Sequence, residues 1–194
     1  VEQRTCFMNR RQLCTTKEGA QLYDSYIKQL SHDIENIELK VQKLLETDDS
    51  LSTTYKNLLT IPGIGFVNAM NVIVITRNFT AFDTARQYAS YIGVAPHFHT
   101  SGTSVRWRPR PSARCDGQAK ADLSMAASVA VQCDAELQSF YNHKLGDKQD
   151  SDTKRKALNA VKFKLILRMF AIGKQNRKWE PLDSKSSNEK LAIS

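Results

Sequence analysis

The chain has 194 residues, 41% hydrophobic and 25% charged, a balance that suits a globular core of moderate size and excludes a low-complexity polymer. Its 28 Lys and Arg against 20 Asp and Glu leave a net charge of +8, which favours a polyanionic partner over an acidic one. No apolar run approaches the ~18–20 residues of a membrane-spanning helix, and the opening Val1-Glu2-Gln3-Arg4-Thr5 lacks the layout of a secretory signal.

Four cysteines, Cys6, Cys14, Cys115 and Cys133, form no CxxC pair and read as reduced thiols of a cytoplasmic protein without a membrane partner. The chain does not open on Met and reads as part of a longer one. Its positive charge is unevenly placed. Residues 101–114 hold four Arg (106, 108, 110 and 114) and residues 154–178 hold nine Lys or Arg, both without an acid. The rest of the chain is net acidic, so the basic character is concentrated as in an electrostatic footprint for nucleic acid.

Residues 1–16 show no clear period and are expected to be irregular. A helix should start near Lys17, capped by Thr15 or Thr16, because Tyr23, Ile27, Leu30, Ile34, Ile37, Val41 and Leu44 recur at alternating spacings of four and three. That heptad seam predicts a coiled-coil helix over 17–50, pairing within the chain or with a second copy, and hence a homo-oligomer, at least a dimer, through 23–44. Residues 51–75 form two helices broken at Ile61-Pro62-Gly63-Ile64-Gly65. This pattern resembles the helix-hairpin-helix motif, in which a Gly-rich turn and helix N-terminus offer backbone N–H groups to a phosphate. It nominates Gly63 and Gly65 as nucleic-acid contacts, against the alternative of a turn that only packs.

A third helix is expected over 80–93, then a loop with room for a short β-hairpin around Ser101-Gly102. Pro109 and Pro111 bar a continuous helix beyond it. A small-residue helix over 118–132, a helix over 134–145 and a last helix over 154–172 follow. The last places Leu158, Val161, Leu165, Met169 and Ile172 on one face, with Lys164 and Arg168 together on another. Lys164 and Arg168 therefore join the candidate nucleic-acid contacts. The polar end, 180–194, reads as a disordered tail.

Thr100-Ser101-Gly102 followed by Arg106, Arg108, Arg110 and Arg114 has the parts of a phosphodiester-cleaving site. A serine attacks phosphorus when its proton is removed and the developing charge is held. Arginines supply the second need, bidentate and always cationic. Ser-Gly is also a common turn, and Ser104 is a rival nucleophile. His97-Phe98-His99 has metal-like spacing, but no third and fourth ligand completes it, so no metal is assigned. Trp107 could stack on a base, whereas Tyr88 and Tyr91 suit core packing better.

Four motifs then recur in order: LLTIPGIG (58–65), FDTARQYASYIGVAP (82–96), TSGTSVR (100–106) and LNAVKFKLILRMFA (158–171). Together they resemble the C-terminal transposase domain of DEDD-type insertion-sequence transposases, relatives of the Piv-type pilin-gene invertases, over residues 51–179. The resemblance implies that Ser101 is the nucleophile of DNA strand cleavage and exchange and that Arg106 contacts phosphate. It also implies an N-terminal RuvC-like domain with a magnesium-binding acidic tetrad, absent from this sequence, and a guide-like bridge RNA that selects DNA sites. The isolated chain, which by itself carries no cofactor, would then be inactive. Ala121-Asp122 departs from the Leu-Arg pair that many members carry there. The expected fold is mainly α: a long coiled-coil helix, then a compact helical domain with the hairpin-like turn and room for the short β-hairpin. The alternative function is a non-catalytic helix-hairpin-helix-type nucleic-acid-binding module.

Overall fold

The computed structural model describes residues 2–95, 100–101, 105–106, 115–147 and 150–181. The chain divides into two units, 1–52 and 53–194.

The first unit is built on an antiparallel pair of helices. The segment expected to be irregular is helical as α1 (Glu2–Gln12), and it packs on α2 (Lys17–Glu46). Phe7 lies 5.9 Å from Tyr23 and 5.5 Å from Tyr26 between ring centroids. Arg11 Nε and Nη2 bind both carboxylate oxygens of Asp24 at 2.5 and 3.0 Å. With so few apolar residues α1 has no legible period; docking on α2 stabilises it, a tertiary effect overriding local preference. Thr16 caps α2, its hydroxyl accepting from the Gly19 N–H at 3.3 Å.

The expected fold is corrected in two respects. No long coiled coil forms among the described residues. The covered stripe of α2 runs Tyr23, Ile27, Leu30, Ile34, Glu38, Val41 and Leu45, leaving Ile37 60% and Leu44 67% exposed. That is the repeat of a straight helix near 3.6 residues per turn, from which a seven-residue seam drifts by about 20° per heptad. The seam and the covered face coincide at Tyr23, Ile27, Leu30, Ile34 and Val41 and differ at Ile37 and Leu44. Nor is a β-hairpin an element of the architecture. The only ladder among the described residues joins Thr100–Ser101 to Val105–Arg106, with Ser101 opposite Val105, two residues on each side. The fold is a mainly α-helical bundle, with eight helices among the described residues.

Six of those helices are α3 (Asp49–Leu58), α4 (Phe66–Thr76), α5 (Ala85–Tyr91), α6 (Gly117–Cys133), α7 (Ala135–Leu145) and α8 (Ser151–Gln175). In the second unit α8 is central and packs against α5, α6 and α7, while α4 packs on α6. Val161, Leu165, Met169 and Ile172 of α8 are buried, as are Leu123, Ala126, Ala127 and Ala130 of α6. Short side chains on α6 let its neighbours approach closely. Asp116, Asp134 and Asp150 cap α6, α7 and α8 from their N-terminal ends. The third helix is shorter than expected because its capping box, Thr84 with Gln87, starts it at Ala85. Residues 77–79 ahead of it hold three consecutive left-handed conformations. They turn the Phe79 ring into the core, 5.1 Å from Phe170 and against Gly173.

Candidate nucleic-acid interface

The Gly-rich turn joins α3 to α4. Gly63 has φ +85°, and a Cβ there would stand 2.5 Å from the Ala126 carbonyl oxygen and 2.7 Å from the Ala130 Cβ. Its missing side chain is therefore required by close approach to α6, the packing alternative left open above. Gly65 differs: a Cβ would meet nothing within 4 Å, and no side chain caps α4, whose N-terminus follows it. Of the two glycines, only Gly65 leaves space for an incoming group.

Asp122, the departure from the expected Leu-Arg pair, fastens α4 to α6. Its carboxylate accepts from Asn71 Nδ2 and Gln118 Nε2, each at 3.0 Å, and its backbone carbonyl accepts from Asn68 Nδ2 at 3.4 Å. An acid here holds the second helix of the turn in place.

Lys164 and Arg168 are brought together, as their spacing predicts, but against acids. Arg168 Nη1 binds Asp134 and Nη2 binds Glu136, both at 2.7 Å, while Trp179 stacks on the guanidinium with its ring 4.1 Å away. The Arg168 side chain is 7% exposed. Lys164 Nζ binds Glu136 at 2.6 Å and sits 4.6 Å above the Phe140 ring. Burial opposes ionisation of Asp134 and Glu136. The hydrogen bonds and charge of Arg168, with Lys164 at Glu136, outweigh it and hold both carboxyls below their usual range. This network locks α7 to α8. It leaves Arg168 no free face for a phosphate.

The segment that carries Ser101 lies in the chain between Ala95 and Cys115. Its ends are tied together by the Asp116 N–H to the Tyr91 carbonyl at 3.4 Å. Asn159 Nδ2 on α8 donates to the Val94 carbonyl at 2.9 Å. Ser101 and Arg106 lie in the two-residue ladder, where Thr100 stands opposite Arg106. Arg108, Arg110, Arg114, Trp107, Ser104 and the two histidines lie outside the described residues. Tyr88 is core, 3% exposed, and burial, with a smaller effect from Asp116, pushes its hydroxyl pKa up. Tyr91 is 47% exposed.

No three His, Cys, Asp or Glu side chains converge among the described residues. What they offer is a hydroxyl, backbone N–H groups and cations. No described helix is long and apolar enough to cross a membrane. The residue that reading by sequence passes over is Lys162. It sits in the run AVKFKLIL, four residues after Leu158 and four before Ile166, and that position on an apolar face was the available signal.

Residues 55–142 match the model of the transposase IS116/IS110/IS902 family. The chain is 26% identical over 180 residues to the pilin gene-inverting proteins of Moraxella lacunata and of Moraxella bovis, covering 89% of this chain and 55% of each relative. It is 31% identical over 85 residues to an IS110 insertion-element protein of Streptomyces coelicolor, 44% of this chain and 21% of that one. These matches make the chain similar to transposases and to pilin gene-inverting proteins. The chain is related at the family level to the IS110/IS902 transposases and the pilin-gene invertases, and it spans about half the length of the invertases it matches.

Proposed function

We propose that this chain is the serine-bearing portion of a DNA recombinase. The Ser101 hydroxyl attacks a DNA phosphodiester: the Oγ–P bond forms, one bridging P–O bond breaks, and that oxygen leaves as a strand-terminal hydroxyl. The serine proton passes to a base or to solvent, and attack by a hydroxyl of a second strand reverses the step to complete exchange. Arg106, with Arg108, Arg110 and Arg114, holds the charge that builds on phosphorus. The observation that carries this reading is that the region matched to the transposase family, 55–142, includes Ser101 and the whole acid-free arginine run. On the same reading the metal-binding acids belong to a RuvC-like domain elsewhere in a full-length protein, and a bridge RNA selects the sites. The test is a denaturant-resistant protein–DNA adduct formed by the full-length protein on its substrate, expected to vanish in Ser101→Ala. An adduct that persists undiminished in that variant rules out Ser101 as nucleophile.

A second reading, a binding module without strand chemistry, rests on the uncapped N-terminus of α4 and the open space at Gly65. It predicts salt-sensitive DNA binding and no adduct under any condition.

A further inference from the structure

Apart from the serine segment, the second unit holds a cleft of about 320 Å³ between the end of the α5 connection and α6 and α8. Gly93, Val94 and Asn159 line it, together with four cations, Lys120, Arg155, Lys156 and Lys162, and no acid. Its volume lies at the small end of ligand sites, ~300–1,000 Å³.

The four cations are not alike. Arg155 and Lys156 share Asp152 in exposed pairs, their side chains 79% and 75% exposed. Such pairs contribute little and exchange readily. Lys162 is 6% exposed, and its ammonium makes one hydrogen bond, to Ser124 Oγ at 3.2 Å, with no carboxylate partner among the described residues. Burial, and then the charge of Lys120, hold its pKa below the usual lysine range. An enclosed ammonium without a counter-charge destabilises a fold, and a methionine would fill the same space without that cost. A residue that works against stability is explained when a ligand brings the missing charge. The cleft's own residues narrow the ligand: four cations suit an anion rich in oxygen acceptors. Gly93 and Val94 also lie just before residues 96–114, the segment with four arginines and no acid.

We propose that this cleft binds a phosphodiester of a nucleic-acid strand, with Lys162 and Lys120 meeting its oxygens and Arg155 and Lys156 turning from Asp152 to cover it. This site is distinct from Ser101, and nothing in the strand-cleavage reading requires it. It would hold the backbone of a strand that runs past the base of the serine segment.

The test is fluorescence anisotropy of this chain with a labelled short DNA duplex and a labelled single-stranded RNA of equal length, across a salt series. Lys162→Met and Lys120→Gln should each weaken binding by roughly tenfold, as expected for one charge-assisted contact. Each should also make the slope of log affinity against log salt shallower by about 0.7–0.9. Lys43→Gln, the same loss of charge on α2, should leave the slope unchanged. Lys162→Met should melt no lower than the parent, which a merely structural lysine would not do. Loss on duplex alone names DNA as the occupant, loss on RNA alone names RNA, and equal loss names a phosphodiester common to both. Unchanged affinity and slope in both variants, or no binding of either nucleic acid by the parent, overturns the proposal. Should Lys162→Met fail to fold, Lys120→Gln decides alone. Ser101→Ala is expected to abolish the adduct while keeping this affinity, so the two readings fail separately.

Discussion

Gly63 shows how one position answers to two demands. Its φ of +85° is a backbone conformation that costs an L residue about 1–2 kcal/mol. The space beside it is taken by the backbone of α6, which cannot swing aside as a side chain can. Gly63→Ala is therefore expected to lower stability by at least about 2 kcal/mol, strain and overpacking acting together. Urea unfolding followed by circular dichroism measures it, and a midpoint equal to the parent's would refute the packing role. The sequence showed that a glycine was needed in this turn. It could not say whether a phosphate or a helix stood next to it, because backbone proximity across 63 residues leaves no trace in local spacing. Asp122 is similar: an anomaly when compared with the family pattern becomes a tie between α4 and α6 once Asn68 and Asn71 are seen beside it.

Among the elements, α7 and α8 meet through Asp134, Glu136, Lys164 and Arg168. The folded state holds both carboxyls below their ordinary values of 3.8 and 4.5. A carboxyl with a lowered folded pKa contributes stability that is complete above its unfolded pKa and is lost as pH falls through its folded one. The bundle should therefore lose stability progressively below about pH 5. Arg168→Met should lose about 3 kcal/mol or more at pH 7, since removing one partner strands a buried charge. It should also show a shallower decline in acid, because the guanidinium that depressed the two carboxyls is gone. Urea unfolding of both proteins at neutral and acidic pH would reveal the difference, and parallel declines would show that the network does not set the acid limit. The same comparison of element and sequence explains α2. Its helix was plain from periodicity, yet the difference between 3.5 and 3.6 residues per turn, which decides between seam and drifting stripe, is too small to read from seven apolar positions.

At the scale of the molecule, the buried apolar residues among those described, other than Leu45, all belong to the second unit. A chain beginning at Asp48, which keeps α3 whole, is expected to retain a single cooperative thermal transition by far-ultraviolet circular dichroism. A broad, non-cooperative melt would show that the first unit is required for that core. The charge also redistributes on folding. Of the nine cations in 154–178, Lys164 is held by Glu136 and Arg168 by Asp134 and Glu136, whereas Lys162 has no acid partner among the described residues.

By itself the sequence determined the helical class, most helix positions, the order of the four motifs and with it the recombinase relation. Those follow from spacing along the chain, and spacing is what a sequence records. It determined too that positive charge is gathered beside Ser101 and along the last helix. Only the tertiary structure decided which of those charges are already answered. Electrostatic energy depends on distance through space, and Lys162 and Arg168, six residues apart on one helix, face different neighbours. The arginine meets two carboxylates and joins the scaffold, and the lysine meets a hydroxyl and an open cleft.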